Sequence, residues 1–460
     1  MKPIGLIATA AVAIGASRFA FRARLPDDYD SIGFVRALDR FDLTQFQPHF
    51  PGYPVFIALG RIAHAAIPSA LDSATVISAL ASAITAAALW LVTCKLASDG
   101  AAWITMGLYA GAFLPWYLGG AALSDATAGA LAMVTFLALL ERNLFLSGVL
   151  VGLMLGVRAS YFPLALSWGA LVILFRRDQL ALALGGAVLG IVGWLVPFLW
   201  IVGGLNTLLE LGRVHVRGHF STWGGAVTTR PALGLRLFSF ARDLLFDGLA
   251  PRLWAVLALA AGSLTALFKP GLPSAPSRSA RIVTLVLVLP YGLWALFGQN
   301  VIDQPRHLLP LVLLLMIGMG LLLSRVKWLG LAAVAVTLVA SFPIARAHAQ
   351  TKSAAAQAAD YVVANYPNKD VAVFGGRAVR TFHQLTAVPA YERTWLSEVD
   401  VTLERLDVLP DHVLITSEVE TDRRRLKKVQ SRAKFCREAA LDRAQPCLEI
   451  SEYSILGSAR

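Results

Sequence analysis

Charged side chains are scarce in this chain. Asp, Glu, Lys and Arg together make up 15% of its 460 residues, whereas soluble domains average about a quarter. Hydrophobic residues make up 57%, and the mean hydropathy is +0.63. So few charges cannot cover the surface of a water-soluble protein of this length. The composition therefore excludes an ordinary soluble enzyme and predicts an integral membrane protein.

Cysteine is also nearly absent. The three cysteines, Cys94, Cys436 and Cys447, form no Cys-x-x-Cys pair, and no His/Cys cluster has the spacing of a zinc site. A structural metal site is therefore not expected. Cys436 and Cys447 lie eleven positions apart on two predicted strands. A hairpin in an oxidising compartment would bring them close enough for a disulfide.

Acidic residues are outnumbered by basic ones, which gives a formal net charge of +12. Residues 350–460 hold 16 Lys and Arg against 15 Asp and Glu, a net charge of +1, so +11 belongs to the apolar part. The sequence contains no basic stripe with interleaved aromatic residues, and we expect no nucleic-acid partner. Positive charge beside apolar spans instead predicts contact with lipid phosphates, so the lipid bilayer is the expected partner.

Long apolar stretches dominate the first 345 residues. A helix needs roughly 20 mainly apolar residues to cross about 30 Å of hydrocarbon. About eleven stretches approach this length, near residues 3–20, 72–94, 101–118, 124–140, 144–157, 160–175, 180–203, 249–268, 282–298, 308–323 and 328–344. We therefore predict an α-helical, multi-pass protein of the cell inner (plasma) membrane. Lys and Arg in alternate short loops predict a cytoplasmic N-terminus and an extracytoplasmic C-terminus, although Arg22 and Arg24 count against this orientation.

The chain changes character after residue 345. We predict a transmembrane domain at residues 1–345, with a long first outside loop at 21–71 and another outside loop at 204–248, followed by a small, soluble α/β extracytoplasmic domain at 346–460. In that domain the patterns predict helices at Ala354–Ala364 and Val379–Leu385, strands at Val371–Gly375 and His412–Thr416, a charged helix at Arg423–Gln430, and a closing hairpin from Cys436–Glu438 and Cys447–Tyr453.

Residues with chemical potential appear directly after the first apolar stretch. Asp27 and Asp28 lie there, and the Pro/Gly-rich turn His49-Phe-Pro-Gly-Tyr53-Pro follows. Acidic residues at such a boundary can simply cap a helix. Alternatively, burial and like charge can keep one of two neighbouring carboxylates poised as a general base, with His49 lining the same cleft. The residues by themselves leave both interpretations open.

An acidic pair after the first helix, followed by His-Phe-Pro-Gly-Tyr-Pro, resembles the GT-C superfamily of polytopic membrane glycosyltransferases. The sequence is most similar to the branch with protein O-mannosyltransferases, lipid A aminoarabinose transferases and bacterial relatives with a His-Pro-Pro-Gly-Tyr-Pro motif. The motifs cover about Asp27 to Arg61, with Phe50 where relatives often have Pro. The resemblance implies eleven or more helices and an outside C-terminal domain. It also implies that one acid of the pair is the catalytic base, with Asp27 favoured over Asp28.

The resemblance extends to later segments. In Leu123-Ser-Asp-Ala126, Asp125 stands where these enzymes commonly place another acidic residue, although Ser124-Asp125 also fits a plain helix N-cap. Gln304-Pro-Arg-His-Leu-Leu-Pro310 resembles the Arg-Tyr-x-x-Pro segment of these enzymes, with His307 in the aromatic place. Arg306 would then hold the phosphate leaving group by bidentate hydrogen bonds, or else would anchor the helix at lipid headgroups.

The remaining candidates for donor binding are basic or aromatic. Arg158 and Tyr161 lie at the turn between two apolar stretches, and Arg213 and Arg217 lie in the loop 204–248. Arg213 and Arg217 could instead belong to an amphipathic segment that rests on anionic lipid, which would have the same sequence pattern. The full set of substrate and donor-phosphate candidates is His49, Tyr53, Arg158, Tyr161, Arg213, Arg217, Arg306 and His307.

The function expected from these features is an inverting glycosyltransferase. It would move a sugar from a polyprenyl-phosphate-linked donor to a glycan, lipid or protein acceptor on the outer face of the membrane. No cofactor is identified, and whether a divalent cation (Mg²⁺ or Mn²⁺) assists stays open. The alternative is a transporter or flippase for a lipid-linked or anionic substrate, which predicts ionisable residues at mid-helix and inverted repeats. A third candidate is a scaffold whose tail binds a cell-envelope partner.

Overall fold

The computed structural model describes residues 4–26, 28–229, 232–269, 278–367, 370–420, 426–443 and 445–455. Its contacts divide the chain into two compact units. The first contains Met1–Arg22 and Gly33–Ala349, and the second contains Ala23–Ile32 and Gln350–Arg460. Ten residues directly after the first helix thus belong with the C-terminal part of the chain. The sequence did not predict this grouping.

The first unit is helical. In chain order its helices are α1 (Ile4–Ala20), α2 (Tyr29–Asp39, whose first turn belongs to the second unit), α3 (Pro54–His64), α4 (Ala70–Leu96), α5 (Asp99–Gly111), α6 (Phe113–Gly119), α7 (Asp125–Leu140), α8 (Leu144–Val157), α9 (Phe162–Phe175), α10 (Leu180–Val202), α11 (Leu205–Ser221), α12 (Leu233–Arg242), α13 (Leu253–Leu267), α14 (Arg278–Leu293), α15 (Leu309–Leu323) and α16 (Lys327–Gln350).

Five helical segments among the described residues have the length and composition needed to cross a membrane. They are Ala70–Leu96, Arg177–Val202, Ser279–Gly298, Pro305–Leu323 and Lys327–Asn365, and six further apolar helices are shorter. Large apolar side chains also face outward, as for Trp200, which is 87% exposed. Such a surface requires lipid rather than water. The structure thus supports a membrane protein, while the count of about eleven crossings and their orientation stay predictions.

Helices α8 and α10 cross where each carries two glycines four positions apart. A Cβ atom on Gly148 would lie 2.1 Å from the carbonyl oxygen of Ala183, and one on Gly186 would lie 2.2 Å from that of Phe145. No side chain fits at either point. Gly152 and Gly190 continue the same close contact one turn further along. Small residues at this spacing let membrane helices pack backbone to backbone.

The third predicted span is two helices, α5 and α6, because the hydrogen-bond ladder breaks between them. The Phe113 N–H donates to Leu249 at 3.2 Å, so it does not donate to the Tyr109 carbonyl one turn back. The buried Arg18 of α1 donates through Nη2 to the carbonyl oxygens of Tyr109 (3.0 Å) and Ala110 (2.9 Å). An Arg is stable here because it pairs with backbone acceptors that the break leaves available.

The second unit contains a five-stranded sheet. Its helices are α17 (Ala354–Asn365), α18 (Ala378–Leu385) and α19 (Leu396–Glu404), and its strands are β1 (Val371–Gly375), β2 (Ala390–Glu392), β3 (His412–Thr416), β4 (Leu426–Cys436) and β5 (Cys447–Ile455). The strand order is β2-β1-β3-β5-β4, with β1 parallel to β2 and β3, and β5 antiparallel to β3 and β4. The small α/β character expected for this part of the chain is confirmed.

One predicted element of this unit is wrong. Of the predicted charged helix Arg423–Gln430, the first residues lie outside the described part, and from Leu426 onward the chain forms β4. β4 is an edge strand whose basic residues, including Lys427 and Lys428, are exposed. Charges on an exposed edge strand protect it from pairing with other chains. In sequence they resemble the solvated face of a helix, which explains the error.

The expected disulfide is confirmed. Cys436, at the end of β4, is directly opposite Cys447, at the start of β5, and the two form a disulfide with Cα atoms 4.1 Å apart. Cys94 is a free thiol. The hairpin predicted from Cys436–Glu438 and Cys447–Tyr453 therefore exists, but its strands run longer than predicted.

The turn after β1 also has a defined structure. The Gly376 and Ala378 N–H groups both donate to Glu418 Oε2, at 3.0 and 3.1 Å. A carboxylate of the chain itself therefore satisfies the backbone N–H groups at the start of α18. Phe374-Gly-Gly376 thus forms a tight strand-to-helix turn.

Candidate functional site

The candidate site of the first unit is built from helix ends. Asp125 is the first residue of α7, Arg158 directly follows α8, and Pro305–Leu308 form a short 3₁₀ turn that leads into α15. Because α7 and α8 form an antiparallel hairpin, the start of one lies beside the end of the other. The polar residues at these apolar helix ends therefore come together on one side of the unit.

Arg158 is the centre of the cluster. Its Nη1 donates to Asp125 Oδ2 and to Ser124 Oγ, both at 3.1 Å, and its Nη2 donates to His307 Nδ1 at 3.1 Å. Because a guanidinium only donates, His307 accepts through Nδ1 and carries its proton on Nε2. Ser124 makes no capping hydrogen bond to the backbone of α7. Ser124 thus occupies the N-cap position of α7, but its side chain is hydrogen-bonded to Arg158 and not to the helix backbone.

A second arginine faces the same carboxylate. Arg306 Nη1 lies 4.0 Å from Asp125 Oδ2, and Asp125, Arg158 and Arg306 are 0, 4 and 7% exposed. Charges this deeply buried are stable only when they are paired and hydrogen-bonded. The other carboxylate oxygen, Asp125 Oδ1, has no hydrogen-bond partner among the described residues. It is therefore available to a ligand hydroxyl or a water.

Aromatic residues surround this cluster. Tyr161 is fully buried, and its ring contacts that of Tyr291 edge-on, with centroids 5.5 Å apart. The Tyr291 hydroxyl donates to the His307 carbonyl at 2.8 Å. Tyr53 lies near Arg158, and its hydroxyl is 2.6 Å from His49 Nε2. The structure therefore brings His49, Tyr53 and Tyr161 together with the charged cluster.

The two loop arginines are placed differently. Arg213 and Arg217 lie on α11 and are exposed. Between them His215 is the residue that contacts the site, because its ring stacks on His49 with centroids 6.1 Å apart and also contacts Phe50. The assignment of Arg213 and Arg217 to phosphate binding stays a prediction.

The acid pair is only half described. Asp27 lies outside the described residues. Asp28 Oδ1 accepts the Asp30 N–H at 2.8 Å, while the Asp28 N–H donates to Ser31 Oγ at 3.0 Å. This reciprocal pattern caps the start of α2. It is the structural role that the sequence offered for the pair, and a catalytic role for either acid stays a prediction.

Sequence reasoning did not identify Asp243, Asp247 and Tyr291 as site candidates. Asp243 and Asp247 are 0 and 2% exposed, and the helical turn Asp243–Asp247 packs against Pro305–Leu308, which contains Arg306. Asp243 Oδ1 accepts a hydrogen bond from Arg242 at 2.8 Å. The sequence does contain a sign of them, because Asp243 and Asp247 come shortly before an apolar stretch, as Asp125 does. Among the described residues no group of three His, Cys, Asp or Glu side chains could hold a metal ion.

Two solved membrane proteins share this architecture. ArnT from Cupriavidus metallidurans bound to undecaprenyl phosphate matches with a TM-score of 0.57 and 12% identity, over 98% of this chain and 97% of that chain. The archaeal oligosaccharyltransferase AglB from Archaeoglobus fulgidus, in complex with an inhibitory peptide and a dolichol-phosphate, matches with a TM-score of 0.51 and 12% identity, over 89% of this chain and 69% of that chain.

These matches define the class of fold. No family model matches the sequence, and neither does any curated protein at a significant level. The chain therefore has the fold of ArnT and AglB. Identity near one residue in eight shows the fold alone, so membership of the GT-C superfamily and the branch within it stay predictions.

Proposed function

We propose that this chain is an inverting glycosyltransferase of the GT-C type that uses a polyprenyl-phosphate-linked sugar donor on the outer face of the membrane. One observation carries the proposal: the guanidinium groups of Arg158 and Arg306 converge on the buried carboxylate of Asp125. Guanidinium groups that meet at one buried point offer several N–H donors, an arrangement complementary to the oxygens of a phosphate.

The fold supports the chemical class of the donor. Two proteins of this fold were solved with polyprenyl phosphates, undecaprenyl phosphate in ArnT and a dolichol-phosphate in AglB. The outward-facing apolar side chains of the first unit are suited to the tail of such a lipid. ATP and nucleotide sugars are absent from the outer face, so a lipid-carried donor would supply both the sugar and the leaving group.

The proposed reaction is a single displacement at the anomeric carbon. The acceptor hydroxyl oxygen bonds to that carbon while the bond to the donor phosphate breaks, so the configuration inverts. The hydroxyl proton goes to a carboxylate, for which the resemblance favours Asp27, and polyprenyl phosphate leaves with the bonding electrons. Arg158, Arg306 and the Nε2–H of His307 would stabilise the charge that develops on this phosphate. Asp125 orients Arg158, and its Oδ1 can also accept from the acceptor hydroxyl.

Binding of the leaving group tests the charged cluster directly. In the purified full-length protein, undecaprenyl phosphate should raise the unfolding temperature, while undecaprenol, which lacks the phosphate, should not. Loss of one charge-assisted contact in Arg306→Gln should cost about 1.5–3 kcal/mol, or roughly 10- to 150-fold in Kd. Arg40, whose side chain is 79% exposed, provides the matched control Arg40→Gln. Equal binding by both variants would make Arg306 a headgroup anchor.

Lipid analysis separates transfer from transport. In cells that lack this protein, loss of a transferase should leave the glycosylated polyprenyl phosphate on the outer leaflet and the acceptor without its sugar. Loss of a flippase should leave the same lipid on the inner leaflet. Accumulation on the inner leaflet would therefore favour the transporter hypothesis over the proposed reaction. The identities of the sugar and the acceptor follow from mass spectrometry of the accumulated lipid and of the unmodified acceptor.

A further inference from the structure

The ten residues Ala23–Ile32 group with the C-terminal unit, and one side chain of that unit makes two different contacts with them. Arg380, on α18, donates through Nη1 to the Tyr29 carbonyl oxygen at 3.0 Å. The centre of its guanidinium group also lies 4.1 Å from the centroid of the Tyr29 ring. A hydrogen bond and a cation–π contact to the same residue fix both its backbone and its ring.

Tyr29 is the first residue of α2, so this contact is at the helix start that Asp28 caps. Asp28 and Ser31 exchange hydrogen bonds at the same point, because Ser31 Oγ also donates to the Asp28 carbonyl at 2.7 Å. The start of α2 is thus stabilised by hydrogen bonds among its own residues and by the contacts from Arg380. Asp27, the favoured candidate for the base, lies two positions before Tyr29 in the chain.

We propose that Arg380 is a positioning residue, through which the C-terminal domain holds the start of α2, the helix that directly follows the acid pair in the chain. This inference rests on the proposed function, because it assigns the acid pair to the transfer reaction. A general base works only when its oxygen is held within hydrogen-bond reach of the acceptor hydroxyl. A displacement of about 1 Å can cost about 10²-fold in rate, so an anchor two residues away controls turnover without touching the substrate.

The kinetic test compares three variants in the full-length protein. Arg380→Gln removes both contacts, and we expect it to lower kcat by about 10- to 100-fold. The Kd for undecaprenyl phosphate should stay within about two-fold of the wild-type value, because Arg158, Arg306 and His307 are unchanged. Tyr29→Phe keeps the ring and the carbonyl and should transfer at nearly the wild-type rate, whereas Tyr29→Leu should resemble Arg380→Gln. Arg377 directly precedes α18 and is exposed, so Arg377→Gln provides the charge-matched control.

Hydrogen exchange gives a readout that does not depend on the reaction. The amides of residues 30–32 should exchange faster in Arg380→Gln than in the wild type, while those of α18 keep their protection. If Arg380→Gln folds and retains its kcat, or if exchange at residues 30–32 is unchanged, the inference is wrong. Should Arg380→Gln not fold, Tyr29→Leu and Tyr29→Phe decide it, because equal kcat in these two variants overturns the proposal. Faster exchange without any detectable transfer by the wild type would instead contradict only the proposed function.

Discussion

Arg158 and Asp125 form a buried ion pair across the α7–α8 hairpin, with 3.1 Å between Nη1 and Oδ2. Both side chains lie at the ends of apolar helices and are at most 5% exposed. Two charges withdrawn from water to this extent stabilise the protein only through each other and through their remaining hydrogen bonds. The stability of the fold therefore depends on this pair, in addition to any role that the pair has in binding.

Removal of one partner should be far more costly than removal of both. We expect Arg158→Met to lower the free energy of unfolding by up to about 3–5 kcal/mol, because Asp125 loses its hydrogen-bonded charge partner and keeps only the more distant Arg306, at 4.0 Å. The double variant Arg158→Met with Asp125→Leu should recover most of this loss, yet remain unable to bind undecaprenyl phosphate tightly. Unfolding in mild detergent measures the stabilities of four proteins, which are the wild type, the single variants Arg158→Met and Asp125→Leu, and the double variant. Additive losses in the double-mutant cycle would show that the two side chains are not coupled.

The crossing of α8 and α10 allows a test with a control one residue away. Gly186→Ala places a methyl group 2.2 Å from the Phe145 carbonyl oxygen, so the helices have to separate, whereas a Cβ on Gly185 has no atom within 4 Å. We expect Gly186→Ala to destabilise the protein by about 1–3 kcal/mol through overpacking. Gly185→Ala should be neutral or slightly stabilising, because Ala favours a helix. Equal melting temperatures for the two variants would contradict the close crossing.

The break between α5 and α6 predicts the effect of changes at Arg18. Arg18→Met fills a similar volume but leaves the Tyr109 and Ala110 carbonyls without their donor. Each buried, unsatisfied acceptor costs about 1–3 kcal/mol, so we expect a loss of that size or more in unfolding free energy. Arg18→Lys should lose less, because an ammonium can still donate. Arg40→Gln again serves as control, and a fully stable Arg18→Met variant would show that the carbonyls find other donors.

Local patterns predicted the elements well where burial alone decides them. Val371–Gly375 and His412–Thr416 are strands as predicted, because short apolar runs suit a sheet covered on both faces. The strand that begins at Leu426 was missed because it is rich in charged residues. It can carry them because it lies exposed at the edge of the sheet, and its place at the edge depends on the strand order, which no local pattern contains. The meeting of Asp125 with Arg306 is a contact between helices far apart in the chain, which no local pattern contains.

The grouping of residues 23–32 with the C-terminal unit is another such case. The sequence predicted an acid pair after the first helix, but the partner of that segment, Arg380, lies about 350 positions away. The resemblance of the motif indicated which residues to consider. It did not indicate that Asp28 caps α2, because capping and catalysis use the same carboxylate in the same place.

The last prediction concerns the acid stability of the sheet in the C-terminal unit. Glu452, on β5, is buried, and burial by itself opposes ionisation of its carboxyl group. Hydrogen bonds from His412, at 2.7 Å, and from Arg432 outweigh this effect, so the pKa of Glu452 is lowered from its usual value. Because the folded protein binds this proton less tightly than the unfolded chain, ionised Glu452 stabilises the fold. That contribution is complete above the unfolded pKa of about 4.3 and is lost as the pH falls through the lower, folded pKa.

Hydrogen exchange in the full-length protein measures this contribution. At pH 7 the amides of β3 and β5 should be more protected in the wild type than in Glu452→Gln, which keeps the shape but loses the charge. The difference should shrink as the pH falls below about 4, because protonated Glu452 resembles the amide. Glu420→Gln removes a carboxylate from an exposed position and should leave the protection of both strands as it is in the wild type at either pH. A gap between the wild type and Glu452→Gln that persists unchanged at pH 3 would show that packing of the side chain, and not its charge, joins β5 to His412 and Arg432.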